Sequence, residues 1–140
     1  GGRELNIHHY GKVILKEWLE KIYGNNFYIE IEYPITAESC KKNITKKLFG
    51  INPSRLEINV LLGSYMISRV DIGVFKKSDD SLVAVYEVAH TSKCNEKKIN
   101  ALKKLGIKTL YEIDAEYMIK YQVNHCPSLP QLEEVMDKLI

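Results

Sequence analysis

Two carboxylates and a few cations are the residues of this 140-residue chain best suited to chemistry. Asp71 stands in "SRVDIGVF" and Glu87 in "VYEVAHTS". Both segments read as strands, and the polar "KKSDDS" between them reads as a hairpin turn. Neighbouring antiparallel strands of this kind let Asp71 and Glu87 point to one face. Val83, Val85, Glu87 and Ala89 share one side of their strand; Leu82, Ala84, Tyr86, Val88 and His90 share the other. A strand apolar on both faces is a central one, covered on both sides. An ionised Glu87 at its end is costly unless it is paired or bound to a metal. Glu32, in "EYPI", could lie on an adjoining strand and supply a third carboxylate. Oxygen ligands in this number suit Mg²⁺, which keeps several of its waters. On the N-terminal helix His8, Lys12, Leu15 and Leu19 fall on one line, so His8 and Lys12 can reach inward beside the apolar stripe.

Each of these residues also has a plainer reading. Asp71 could simply pair with Arg69 or Lys12. Glu87 could be a structural buried acid, Glu32 a solvated group on the polar face of its strand, and His8 a satisfied histidine at the core's edge. His90 points away from Glu87 and is no ligand on this parity.

The elements that must position these groups follow from periodicity. Residues 6–23 form an amphipathic helix on the stripe Ile14, Leu15, Trp18, Leu19 and Ile22, with Asn6 as N-cap and Gly24 as stop. "FYIEIEYPI" alternates as a strand that Pro34 ends. Residues 37–49 form a short basic helix and residues 56–62 a strand. Val70, Ile72 and Val74 face one way on the next strand; Arg69, Asp71 and Gly73 face the other. Thr91 or Ser92 caps a helix over about 93–105, which Gly106 closes. "IKTLYEI" is a further strand, and Asp114 caps the helix "AEYMIKYQV". "CPSLP" is a loop, and "QLEEVMDKLI" a last amphipathic helix. The order predicts an α/β domain, a mixed central sheet flanked by helices.

Composition sets the bounds. Of the residues, 45% are hydrophobic and 27% charged, as in an ordinary globular domain. No apolar run approaches the roughly 20 residues that span a membrane. No secretory signal is evident, and three cysteines without close pairing argue for a reducing, intracellular setting. Neither a CxxC nor an HxxxH pattern supports zinc. Residues 1–140 read as a single domain, and Gly1-Gly2 as either an engineered tag remnant or the boundary of an excision from a longer chain. The net charge of +2 announces no partner. The lysines are clustered, however: Lys41, Lys42, Lys46 and Lys47 in one segment, Lys93, Lys97, Lys98, Lys103 and Lys104 in another. Such clusters either meet phosphates or form a solvated helix face.

The order of elements and motifs resembles the PD-(D/E)xK, or restriction-endonuclease-like, superfamily. That fold has an α-β-β-β-α-β core with acidic residues on a central hairpin. Asp71 matches its first acidic position and Glu87 the second, but Ala89 stands where the motif has lysine. A narrower resemblance is to the competence-protein CoiA-like branch. It is carried by His8, Lys12 and Leu15 in "HHYGKVIL", by "EYPI", by "RVDI", by "EVAHTS", and by "KKINALKKLGIKTLYEIDAE". It covers most of residues 4–120. The resemblance implies a metal-dependent nuclease cleaving phosphodiester bonds, more readily DNA than RNA. Mg²⁺ or Mn²⁺ would be held by Asp71, Glu87 and Glu32, and Lys12 with His8 would join the catalytic set. Lys41, Lys42, Lys46, Lys47, Lys93 and Lys97 would hold nucleic acid. Ala89 leaves two outcomes open. Either a lysine from elsewhere does the missing work, Lys12 before Lys93 or Lys97, or the domain is an inactive module that binds nucleic acid or a protein.

Overall fold

The computed structural model describes residues 2–36, 66–104, 106–120 and 126–140. The basic helix expected at 37–49, with Lys41, Lys42, Lys46 and Lys47, and the strand expected at 56–62 lie outside the described residues. The elements are α1 (Gly2–Tyr23), β1 (Phe27–Thr36), β2 (Met66–Lys76), β3 (Leu82–Ala89), α2 (Glu96–Lys104), β4 (Leu110–Asp114), α3 (Ala115–Lys120), α4 (Leu129–Val135) and β5 (Asp137–Lys138). The five strands form one sheet in the order β1-β2-β3-β4-β5. β1, β2 and β3 pair antiparallel, β3 and β4 pair parallel across α2, and β5 returns antiparallel on β4. This is the mixed α/β sheet expected. Among the described residues no helix is long and apolar enough to cross a membrane.

Two cores cover the two faces. On one, Leu15, Trp18 and Leu19 of α1 and Met118 of α3 pack on Ile72, Val74, Tyr86 and Val88. On the other, Leu102 of α2 packs with Val70, Val85 and Leu110. β3 is buried on both faces, as its apolar run predicts. Val70 and Ile72 therefore face opposite cores, against the simple alternation expected. Leu82 likewise parts from Ala84, Tyr86 and Val88. The β2–β3 register jumps from Val74↔Ala84 to Phe75↔Leu82, and the extra residue, Val83, reverses the side that Leu82 faces.

Several boundaries depart from the sequence reading for local reasons. β1 runs through Pro34 to Thr36. It is an edge strand among the described residues, the place in a sheet where proline is tolerated. α1 begins at Gly2, ahead of Asn6. α2 is capped by Asn95, whose side chain accepts the Lys98 N–H at 2.8 Å. Thr91 and Ser92 are left in an exposed connection. The last helix starts in the supposed loop, because Ser128 and Gln131 form a reciprocal capping box. It stops at Val135. Met136 turns extended, and the Leu139 N–H reaches the Leu110 carbonyl at 2.8 Å. Asp114 accepts the Glu116 N–H, the cap expected for α3.

Gly11 sets how closely α1 lies on the sheet. A Cβ there would stand 2.9 Å from Val88 Cγ1 and 3.4 Å from Ala115 Cβ. The branched Val88 cannot swing clear, so the helix itself must move. Gly11→Ala should gain about 1 kcal/mol of helix propensity and lose roughly 1–3 kcal/mol to overpacking. We expect a net loss of stability in urea unfolding. A more stable variant would show that α1 has room to give.

Candidate active site

The β2–β3 ladder stops at Ile72↔Tyr86. At the next step, side chains take over the ladder's bonds. The Asp71 N–H donates to Glu87 Oε2 at 2.7 Å, and the Val88 N–H donates to Asp71 Oδ2 at 2.8 Å. Charge-assisted bonds of this kind are short and strong. They tie the two strands together where the ladder ends, each carboxylate taking a backbone N–H of the other strand. β1 breaks its pattern at the same level. Its register with β2 pairs Ile31↔Ile72 and Tyr33↔Val70 but omits Glu32, the residue opposite Asp71. Glu32 has φ +56°, in the left-handed region, where a non-glycine residue stores about 1 kcal/mol or more. Three strands thus depart from regularity around one carboxylate.

Basic side chains reach these acids from both helical layers. From α1, His8 Nε2 lies 3.4 Å from Asp71 Oδ2, and Lys12 Nζ lies 3.5 Å from Asp71 Oδ1. Lys12 also donates to Glu32 Oε1 at 2.8 Å. It is almost fully buried, its stem passing through the core with its charge delivered to two acids. Its hydrogen bond and charge hold the Glu32 carboxyl below the usual range. Arg69 donates to the Glu32 carbonyl rather than pairing with Asp71. From α2 comes Lys98, which ion-pairs with Glu87 Oε1.

Glu87 is 4% exposed. Burial first, and then the neighbouring Asp71 charge, push its carboxyl up; Lys98 opposes both. Burial and a second acid thus both penalise the Glu87 charge, and Lys98 offsets them only in part. Asp71, Glu87 and Lys98 border a groove of about 500 Å³, with His8, Glu112 and the 90–95 connection as its other walls. Cys94 also faces it. Burial and the nearby Glu87 and Glu112 carboxylates push the Cys94 thiol up to about 11, so it is protonated at neutral pH and no ready nucleophile.

The donor set fits a hard divalent cation. Among the described residues no three His, Cys, Asp or Glu side chains form a ready-made metal cage. Mg²⁺ needs no such cage: one or two carboxylates plus water and substrate oxygens suffice. Asp71 and Glu87 are two such carboxylates on one groove. Glu32 is turned to Lys12 and does not line that groove.

The structure brings together Asp71, Glu87, His8 and Lys12, with Glu32 joined through Lys12. Lys93 and Lys97 are exposed, and Lys93 stands 3.9 Å from Asp137. His90 lines the groove, with its Nε2 3.5 Å from Glu116. Two residues were not singled out by sequence reasoning. In the sequence, Lys98 is one lysine of a basic cluster. The signal for it was its spacing, four residues before the buried Leu102 and so on the inward face of α2. Glu112 was hidden in "LYEID", where a buried acid in a short strand looks like any exposed one. Compared with protein-family models, curated proteins and solved structures, the chain matches none.

Proposed function

We infer that this domain is a divalent-metal-dependent nuclease of the PD-(D/E)xK type, acting on DNA, in which Lys98 does the work of the lysine that Ala89 lacks. The observation that carries this reading is the meeting of Asp71, Glu87 and Lys98 on one groove. Asp71 and Glu87 are the residues to hold Mg²⁺ or Mn²⁺. The metal, when bound, supplies an activated water and neutralises charge on phosphorus. Lys98 sits on the Glu87 carboxylate, beside the space that a scissile phosphate would take. There an ammonium can steady the charge that develops on the phosphoryl oxygens. Lys12 neutralises Asp71 from beneath and fixes its orientation. His8, at the groove's edge, can move a proton. The exposed Lys93 and Lys97 are within the same segment and suit a phosphate backbone.

The order α1-β1-β2-β3-α2-β4 among the described residues supports the PD-(D/E)xK reading, whose core runs α-β-β-β-α-β. Two measurements test the reading together. Calorimetry should detect Mn²⁺ binding that Asp71→Asn weakens. Plasmid DNA should be nicked in Mn²⁺, and not in chelator. Ala89 favours the alternative of an inactive nucleic-acid- or protein-binding module. A chain that binds no Mn²⁺ and leaves plasmid intact, while still retarding DNA at low salt, would establish that alternative.

A further inference from the structure

Glu112 is one of three charged residues buried among the described residues, with Lys12 and Glu87. It stands on β4, directly in register with Glu87 on the parallel neighbour β3. Burying a second carboxylate beside Glu87 is costly, so the fold must gain something specific from it. Its Oε2 accepts the Cys94 backbone N–H at 2.6 Å, a short bond of the kind that charge assistance favours. Cys94 immediately precedes Asn95, and Asn95 caps α2 by accepting the Lys98 N–H. Lys98 then meets Glu87. The ion pair from this connection to β5 is weak by comparison: Lys93 and Asp137 are exposed and 3.9 Å apart.

We propose that Glu112 is a positioning residue: by gripping the Cys94 amide it holds the 91–95 connection and the first turn of α2, and so aims Lys98 at Glu87. This rests on the nuclease reading only for its effect on rate; the positioning itself is a property of the fold. Carboxylate and carbonyl oxygens can both grip an amide, so Gln at this position keeps the hold. Asp keeps the charge but is one methylene too short to reach.

The test is amide hydrogen exchange on the whole chain, read at Cys94 and Lys98, for wild type and for Glu112→Ala, Glu112→Gln and Glu112→Asp. We expect the Ala and Asp variants to exchange at least about tenfold faster at both amides, with β3 core amides unchanged. Gln should stay close to wild type. In the plasmid assay, losing such a supporting partner typically costs about 10–100-fold. Here the loss should fall in kcat with KM within about twofold, and Gln should restore it. Lys98 exchange unaltered in the Ala and Asp variants would overturn the proposal, as would a Gln variant as fast as Asp. If Ala fails to fold, the Gln and Asp pair decides alone. Variants that exchange as expected, with a wild type that never cleaves DNA, would uphold the positioning and reject the nuclease reading.

Discussion

Lys98→Ala should lower Mn²⁺-dependent plasmid nicking by about 10²–10³-fold, the usual cost of removing one group that stabilises transition-state charge. The expectation rests on the ion pair of Lys98 with Glu87 and on their shared groove. Lys97, one residue earlier and exposed, is the internal control. Lys97→Ala should weaken DNA binding slightly and leave kcat alone. The sharper arm is the double variant Lys98→Ala with Ala89→Lys. If the role is an ammonium beside Glu87, moving it from α2 to β3 should recover a substantial part of the rate. Initial rates of supercoiled-DNA loss at saturating Mn²⁺ measure all four proteins. Equal loss from Lys97→Ala and Lys98→Ala would reduce both to backbone contacts. Lys12→Ala is expected to behave differently. Lys12 is buried between Asp71 and Glu32, so its removal leaves an under-compensated acid pair and costs stability as well as rate.

Glu87→Gln should abolish metal-dependent cleavage and yet unfold at the same temperature as wild type, or higher, at pH 8. The sign follows from the raised carboxyl. Folding lifts the Glu87 pKa through burial and the Asp71 charge, so the folded chain holds a proton that the unfolded chain has released. Stability is then greatest below the unfolded value, about 4.3. It falls as pH rises from there through the raised folded value, and is flat above it. Gln never ionises and keeps the more stable end of that range. Thermal unfolding of both proteins between pH 4 and 8 should show curves that meet at low pH and separate above it. The same linkage makes cation binding release a proton in this window, because a metal takes the ionised carboxylate. Calorimetry in buffers of different ionisation enthalpy reads that proton directly. A Gln variant that melts well below wild type at pH 8 would make Glu87 a structural acid. Its burial beside Asp71 would then serve the fold rather than chemistry.

Local periodicity alone placed much of this site. The hairpin carrying Asp71 and Glu87 was legible because strand alternation and the "KKSDDS" turn are properties of short segments. His8 and Lys12 were legible together with Leu15 and Leu19 because 3.6 residues per turn fixes one helix face. The burial of β3 on both sides was legible in its unbroken apolar run. Tertiary structure decided the rest. Alternation predicts a regular ladder, and it missed the break at Asp71 because side-chain carboxylates there outcompete backbone carbonyls for two N–H groups. It missed the reversal at Leu82 because one extra residue, Val83, is invisible until the partner strand is known. Lys98 and Lys97 have the same chemistry and adjacent positions. Only the docking of α2 on the sheet, with Asn95 rather than Thr91 or Ser92 as its cap, rotates one to Glu87 and the other to water. Glu112 became distinguishable from an exposed glutamate only when β4 paired in parallel beside β3. That pairing joins residues 25 positions apart, a separation across which no short-range pattern carries information.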